Sequence, residues 1–137
     1  MIIDSHAHIY PDKLARKAAR SIGDFYDIDM DLDGTVDMLL KVGDEAGVDK
    51  FLVHSVATTP HQVRSINSFI AKSVSEHPDR FIGFATLHPG CGDEIPEIVD
   101  EAIELGLSGI KRAPDFQECA MAAREAGGWG GAVAYAL

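Results

Sequence analysis

The sequence predicts an α/β fold in which four parallel strands alternate with helices. Four short apolar segments recur along the chain, and each precedes a segment whose apolar residues have the spacing of an amphipathic helix. The apolar segments begin about 50, 30 and 26 residues apart, which suits strand–helix units better than a meander of hairpins. Right-handed crossovers are expected between successive parallel strands. Residues 1–137 are therefore predicted to form a single domain.

The first half of the chain supplies two of the predicted strands. Ile2 to Ile9 is the first strand, and a basic helix over Asp12 to Ser21 follows it. Residues 23–34 are acidic and rich in turn residues, which predicts a solvated loop. Thr35 then caps a helix that runs through Ala46, because Gly47 is a typical helix stop. Phe51 to Ala57 is nearly continuous in apolar residues, as expected of a parallel strand covered on both faces.

The second half supplies two more units of the same kind. A helix is predicted over His61 to Glu76, a strand over Phe81 to Leu87, a helix over Ile95 to Leu105 and a strand over Leu107 to Lys111. Residues 118–137 form an atypical, Gly- and Ala-rich C-terminal tail. A helix over residues 116–126 and a fifth strand over residues 132–137 are open alternatives to a frayed end.

Composition narrows the classes of partner and compartment. The chain carries 12 Lys and Arg against 22 Asp and Glu, a formal charge of −10, which argues against nucleic acid and anionic membranes as partners. No run approaches the 18 or so apolar residues of a membrane span, and the start lacks the order of a signal peptide. Two cysteines without metal-ligand spacing fit a reduced, cytoplasmic protein.

The first strand carries the clearest chemical signal. Asp4, His6 and His8 stand at alternate positions, so an ideal strand places all three on one face. Two imidazoles one residue apart can converge on one divalent ion, which zinc accepts at about 2.0–2.1 Å from each nitrogen. Imidazole also suits other transition metals, so the pair itself does not identify the ion.

Polar residues also fall at or near the ends of the other predicted strands. His54 interrupts the second strand, His88 follows the third, and Lys111 ends the fourth. Ligands of α/β sheets and barrels bind at the carboxyl ends of the strands. We therefore predict His54, His88 and Lys111 as catalytic residues beside a metal held by His6, His8 and Asp4. A hydrogen-bonded core histidine is the competing interpretation of His54.

Three segments resemble the amidohydrolase superfamily, specifically the amidohydrolase-related branch that includes decarboxylases of the aminocarboxymuconate-semialdehyde type. These segments are Ile3 to Pro11, Arg80 to Pro89 and Glu104 to Lys111, and together they cover the N-terminal half of such an enzyme. The resemblance implies half of a TIM (β/α)₈ barrel and metal-assisted hydrolysis or decarboxylation of a small-molecule substrate. It implies that His6 and His8 are metal ligands and that Asp4 orients them. We expect the bound divalent ion to be zinc.

The resemblance also marks two departures from the family pattern. Relatives usually continue from the fourth strand with Leu-His, where this chain has Arg112 and Ala113. The family's later ligands, on strands five, six and eight, have no positions in 137 residues. We therefore weigh two alternatives: a truncated or frame-shifted half-barrel that is inactive or works only as a homo-oligomer, and a phosphoesterase of the polymerase-and-histidinol-phosphatase type.

Overall fold

The computed structural model describes residues 1–113 and residue 117, and within them all four predicted strands are present. The predicted helix over residues 116–126, the fifth strand and the tail over 118–137 lie outside these residues, apart from Gln117. The strands are β1 (Ile3–His8), β2 (Lys50–His54), β3 (Phe81–Thr86) and β4 (Gly109–Lys111). The helices are α1 (Asp12–Tyr26), α2 (Val36–Ala46), α3 (Val63–Glu76) and α4 (Ile95–Glu104), with 3₁₀ segments at Pro60–Gln62 and Pro89–Glu94.

The strands pair in parallel in the order β1-β2-β3-β4. Each crossover therefore moves one place in the same direction, as in a (β/α)₈ barrel, whereas a doubly wound sheet reverses direction. The α/β fold with four parallel strands is thus confirmed. This order brings the carboxyl ends of four consecutive strands to one edge.

The hydrophobic core lies between the sheet and the helices. Its buried residues come from the first three strands, from α3 and α4, and from the segments that follow β1 and precede β4. Partly buried residues of α2 and α3 pack against them. Within the described residues, the predicted cover of β2 on both faces is only partial. Phe51 and Val53 are buried, but Leu52 between them is only partly buried, and β3 alternates in the same way. One face of these strands is packed under helices and the other faces the side that a barrel would enclose.

The boundaries of α1 and β2 differ most from the sequence-based expectation. α1 continues to Tyr26 and shortens the acidic loop. Gly23 stays helical, and a Cβ atom at this position would lie 2.6 Å from the Ile28 carbonyl oxygen. β2 ends at His54, three residues earlier than predicted, because Ser55 and Ala57 bond outside the ladder. The Ser55 hydroxyl donates to the Ile9 carbonyl, and the Ala57 amide donates to Thr86 Oγ1.

The helix starts follow the predicted chemistry. The Thr35 hydroxyl accepts a hydrogen bond from the Met38 amide, and Gly47 ends α2 with φ of 71°. A capping box between Thr59 and Gln62 precedes α3. None of the helices described is both long enough and apolar enough to span a lipid bilayer.

Candidate metal centre

Three imidazole rings meet at the carboxyl ends of β1 and β2. The ring centroids of His6 and His8 are 5.2 Å apart, and the ring of His54 lies 4.7 Å from the first and 4.5 Å from the second. The two strands place them there because His8 and His54 are direct partners in the parallel register. One nitrogen from each ring falls within 4.8 Å of the others, and among the described residues this is the one group of three or more potential ligands.

His6 and His8 face each other most closely. Their Nε2 atoms are 3.1 Å apart. Two nitrogens bound to a tetrahedral zinc ion at 2.0–2.1 Å lie about 3.4 Å apart. The pair is therefore close to the separation that a shared ion requires.

A bulge in β1 interrupts the alternation that was predicted for Asp4. The register shifts between Asp4 and Ala7, so β1 contains one more residue than β2 over this stretch. The Asp4 carboxylate accepts a hydrogen bond from the His6 amide at 2.9 Å and fixes the backbone at this irregularity. Asp4 is outside the three-residue group, and its role as a metal ligand stays a prediction.

His54 is the buried member of the group. It is 1% exposed, and its Nδ1 atom has no hydrogen-bond partner among the described residues. A buried polar atom without a partner costs about 1–3 kcal/mol. The competing interpretation of His54 as a satisfied core histidine therefore does not account for this nitrogen.

Tyr10 holds the outer nitrogen of His8. Its hydroxyl lies 3.1 Å from His8 Nδ1, and burial raises the pKa of Tyr10 to about 12, so the hydroxyl stays protonated. When His8 Nδ1 carries the proton and donates it to the Tyr10 oxygen, the lone pair of Nε2 is free for a cation. The sequence prediction missed this role, although Tyr10 follows His8 at the same spacing as His8 follows His6.

The surroundings favour the neutral forms of His8 and His54. Burial lowers the pKa of His8 to about 4, and the charges of His6 and Lys111 add to this effect. Burial lowers the pKa of His54 to about 3, with further contributions from the two other histidines and Lys111. Neutral imidazoles are the form that binds metal ions. The donor set, the short nitrogen separation and the unpartnered Nδ1 atom thus all fit a divalent transition metal.

Lys111 and His88 are the other two predicted catalytic residues. Lys111 is close enough to act electrostatically on His8 and His54. The His88 ring instead caps the 3₁₀ segment, and its Nδ1 atom accepts a hydrogen bond from the Gly90 amide at 3.0 Å. Their catalytic roles stay predictions.

Two buried amides that the sequence did not reveal brace the same edge. The Asn67 carboxamide accepts from the Thr86 amide at 2.8 Å and donates to the Thr86 carbonyl at 3.2 Å. The Gln117 carboxamide donates to the carbonyls of Ala57 and Leu87. Asn67 ties α3 to the end of β3, and Gln117 ties together the segments that follow β2 and β3.

A cleft of about 430 Å³ adjoins the histidines. His8 and Tyr10 form one wall, and the rest is largely apolar, with Val56, Ile66 and Phe69 among its lining residues. A second cleft between α1 and the acidic loop shares no residue with the histidine cluster. Of these two clefts, the first is therefore the candidate for substrate binding next to the proposed metal.

Comparison with known proteins supports the fold. No protein-family model and no curated protein matches the chain. It superposes on the 5-carboxyvanillate decarboxylase of Novosphingobium aromaticivorans, solved with manganese, with a TM-score of 0.73 at 16% identity, over 99% of this chain and 48% of that one. For a 2,6-dihydroxybenzoate decarboxylase the TM-score is 0.67 at 19% identity, over 98% and 48%. For 4-oxalomesaconate hydratase from Rhodopseudomonas palustris it is 0.52 at 25% identity, over 84% and 42%.

These matches confirm the resemblance to amidohydrolase-superfamily decarboxylases at the level of the fold. The chain spans about half the length of the solved structures it matches, which agrees with the predicted half of a TIM barrel. Divalent metal is a feature of several of those neighbours, and the ion in them is manganese.

Proposed function

We propose that this chain is the metal-binding half of a metal-dependent enzyme of the amidohydrolase type, which hydrolyses or decarboxylates a small carboxylated molecule. The observation that carries the proposal is the pair of facing Nε2 atoms on His6 and His8, 3.1 Å apart at the carboxyl end of β1. Catalytic groups of barrel enzymes lie at this end of the strands. Decarboxylases and a hydratase with the same fold support the general kind of reaction.

Zinc is the ion we propose, on the basis of the donor atoms. An all-imidazole set suits zinc, whereas manganese favours carboxylate oxygens. The manganese in the structural neighbours is the reason to test both ions. When bound, such an ion polarises a substrate carbonyl or carboxylate and lowers the pKa of bound water to about 7.

The protein groups around the ion would orient and neutralise the substrate. Tyr10 holds the tautomer of His8 that presents Nε2 to the ion. Lys111 places a positive charge near the cluster, where it would pair with a substrate carboxylate. The largely apolar cleft beside His8 would accept the uncharged body of that substrate. His88 keeps its proposed role as a substrate contact through the ring nitrogen that does not cap the 3₁₀ segment.

The charge and the sheet edges support the remaining proposals. A formal charge of −10 favours a small-molecule substrate over nucleic acid. We also propose that the protein is cytoplasmic. Within the described residues β1 pairs only with β2 and β4 only with β3. We propose that a second copy of the chain covers these edges, because uncovered edges favour aggregation. A monomeric mass by light scattering would contradict this part of the proposal.

A second candidate is a domain that binds the metal but has no turnover alone. The observation in its favour is that the chain covers about 48% of the decarboxylases. Assays of CO₂ release from 2,6-dihydroxybenzoate and 5-carboxyvanillate, with zinc or manganese added, separate the two candidates. Turnover by the purified chain supports the first, and stoichiometric metal without turnover of either substrate supports the second.

Elemental analysis tests the metal site itself. We expect the purified chain to retain zinc and the His6→Ala/His8→Ala double variant to lose it. His61→Ala is the matched control, because His61 is exposed and lies outside the cluster. Equal metal content in the wild type and the double variant would contradict the proposed function.

A further inference from the structure

We infer that His54 is the third protein ligand of the proposed metal site, so that β1 and β2 supply a complete three-histidine set. This inference rests on the proposed function, which itself needs only His6 and His8. The register is the first support for it. His54 pairs directly with His8 across two neighbouring parallel strands, and such strands lie about 4.8 Å apart.

The orientation of the rings is the second support. The His54 ring meets the rings of His6 and His8 edge-on, with interplanar angles of 66° and 78°. Ligand atoms of all three rings lie within 4.8 Å of one another, against the separation of about 3.4 Å in a tetrahedral zinc site. Binding of a common ion would require these atoms to approach one another by at most about 1.4 Å.

Burial is the third support. His54 is the fully buried member of the cluster and has a ring nitrogen without a partner among the described residues. A structural histidine in a core position normally has both nitrogens bonded or solvated. Coordination provides the polar partner that the surrounding residues do not.

The arrangement leaves one side of the cluster open. His6 is exposed, His8 is partly buried and His54 is buried, so the three rings span the depth from the sheet to solvent. A catalytic zinc has three protein ligands and keeps a fourth position for water or substrate. Residues 1–54 would therefore provide three protein ligands of such an ion.

Zinc affinity separates this inference from the proposed function. Competition with a chromophoric chelator measures it in the wild type, His54→Gln, His6→Ala/His8→Ala and the control His61→Ala. We expect His54→Gln to weaken zinc binding more than about 100-fold, beyond what loss of an outer partner causes. The double variant should lose binding, and the control should match the wild type.

Each outcome has a distinct meaning. Wild-type affinity in His54→Gln together with lost binding in the double variant would overturn the inference and leave the proposed function standing. Absence of zinc binding in the wild type would overturn both.

A spectroscopic measurement avoids the risk that His54→Gln fails to fold. The wild-type chain with ¹⁵N-labelled histidine is loaded with ¹¹³Cd, and nitrogen–cadmium couplings are recorded. We expect couplings to ring nitrogens of all three histidines, including His54. Couplings to His6 and His8 alone would overturn the inference.

Discussion

The two ends of the sheet are built in opposite ways. At the amino end, Arg80 is fully engaged: its guanidinium donates to the carbonyls of Asp49 and Val48, pairs with Asp44 at 2.7 Å and stacks over the Phe51 ring. At the carboxyl end, the Nδ1 atom of buried His54 has no hydrogen-bond partner in the part of the chain that the structure describes. In barrel enzymes the first end maintains the fold and the second carries the chemistry.

The comparison indicates that the carboxyl end of the sheet, and not the amino end, contains an arrangement that lowers stability. Buried polar groups are normally satisfied, and exceptions concentrate at functional sites. The hydrogen bonds, ion pair and ring contact of Arg80 stabilise the folded chain whether or not a ligand is bound. In the cluster of His6, His8 and His54, the Nδ1 atom of His54 has no hydrogen-bond partner among the described residues. Perturbing each end in turn should therefore have separable effects on stability and on metal affinity.

Acidification should give the largest effect on the metal-free chain. The pKa of His8 in the folded chain is about 4 and that of His54 about 3, both below the ordinary value near 6.5. The unfolded chain then binds more protons below pH 6.5, so stability is fully present above that pH and falls as the pH decreases towards 4. Chemical denaturation between pH 7.5 and 5 measures this loss before most carboxylates titrate.

Variants localise the acid sensitivity to the carboxyl end. His8→Gln and His54→Gln should each flatten the dependence of unfolding free energy on pH, and His61→Ala should leave it unchanged. A dependence that is equally steep in all variants would show that the acid sensitivity arises elsewhere in the chain.

Removal of the arginine at the amino end should give the next largest effect. Arg80→Ala leaves two backbone carbonyls without their donor, and we expect a loss of about 1–2 kcal/mol in unfolding free energy with unchanged zinc affinity. Arg64→Ala is the matched control, because the Arg64 guanidinium forms its ion pairs with the exposed carboxylates of Glu94, Glu97 and Glu101. It should destabilise much less, as surface ion pairs contribute little. A loss of zinc affinity in Arg80→Ala would contradict the separation of the two ends.

Substitution of Tyr10, which lies beside His8, should give the smallest effect, and this effect should be confined to metal affinity. Tyr10→Phe removes the oxygen that fixes the His8 tautomer, so zinc affinity should fall about tenfold. Isothermal titration with zinc measures this change, and Tyr26→Phe serves as the control. Unchanged affinity would mean that Tyr10 does not orient His8.

Much of the fold followed from local patterns in the sequence. Thr35 and Gly47 bracket α2 as predicted, because caps depend on a few adjacent residues. The pairing of His6 with His8 was also predictable, since it needs only the two-residue period of a strand. The end of β2 at His54 was not, because Ser55 leaves the ladder to bond a carbonyl on another segment, that of Ile9.

Prediction of the candidate site required contacts between segments that are distant in the sequence. His54 joins the cluster through the register of β1 against β2, which is set by tertiary packing. The bulge that separates Asp4 from the histidines has no marker such as glycine in the sequence. The role of Asn67 depends on the backbone of Thr86 on another strand.

Anomalous diffraction from zinc-soaked crystals is the most direct test of whether the three histidines bind one ion. Data collected on both sides of the zinc absorption edge locate the ion without assumptions about its ligands. We expect one strong peak at the carboxyl ends of β1 and β2, within bonding distance of ring nitrogens of His6, His8 and His54. Absence of a peak there, with zinc bound elsewhere or not at all, would contradict this expectation.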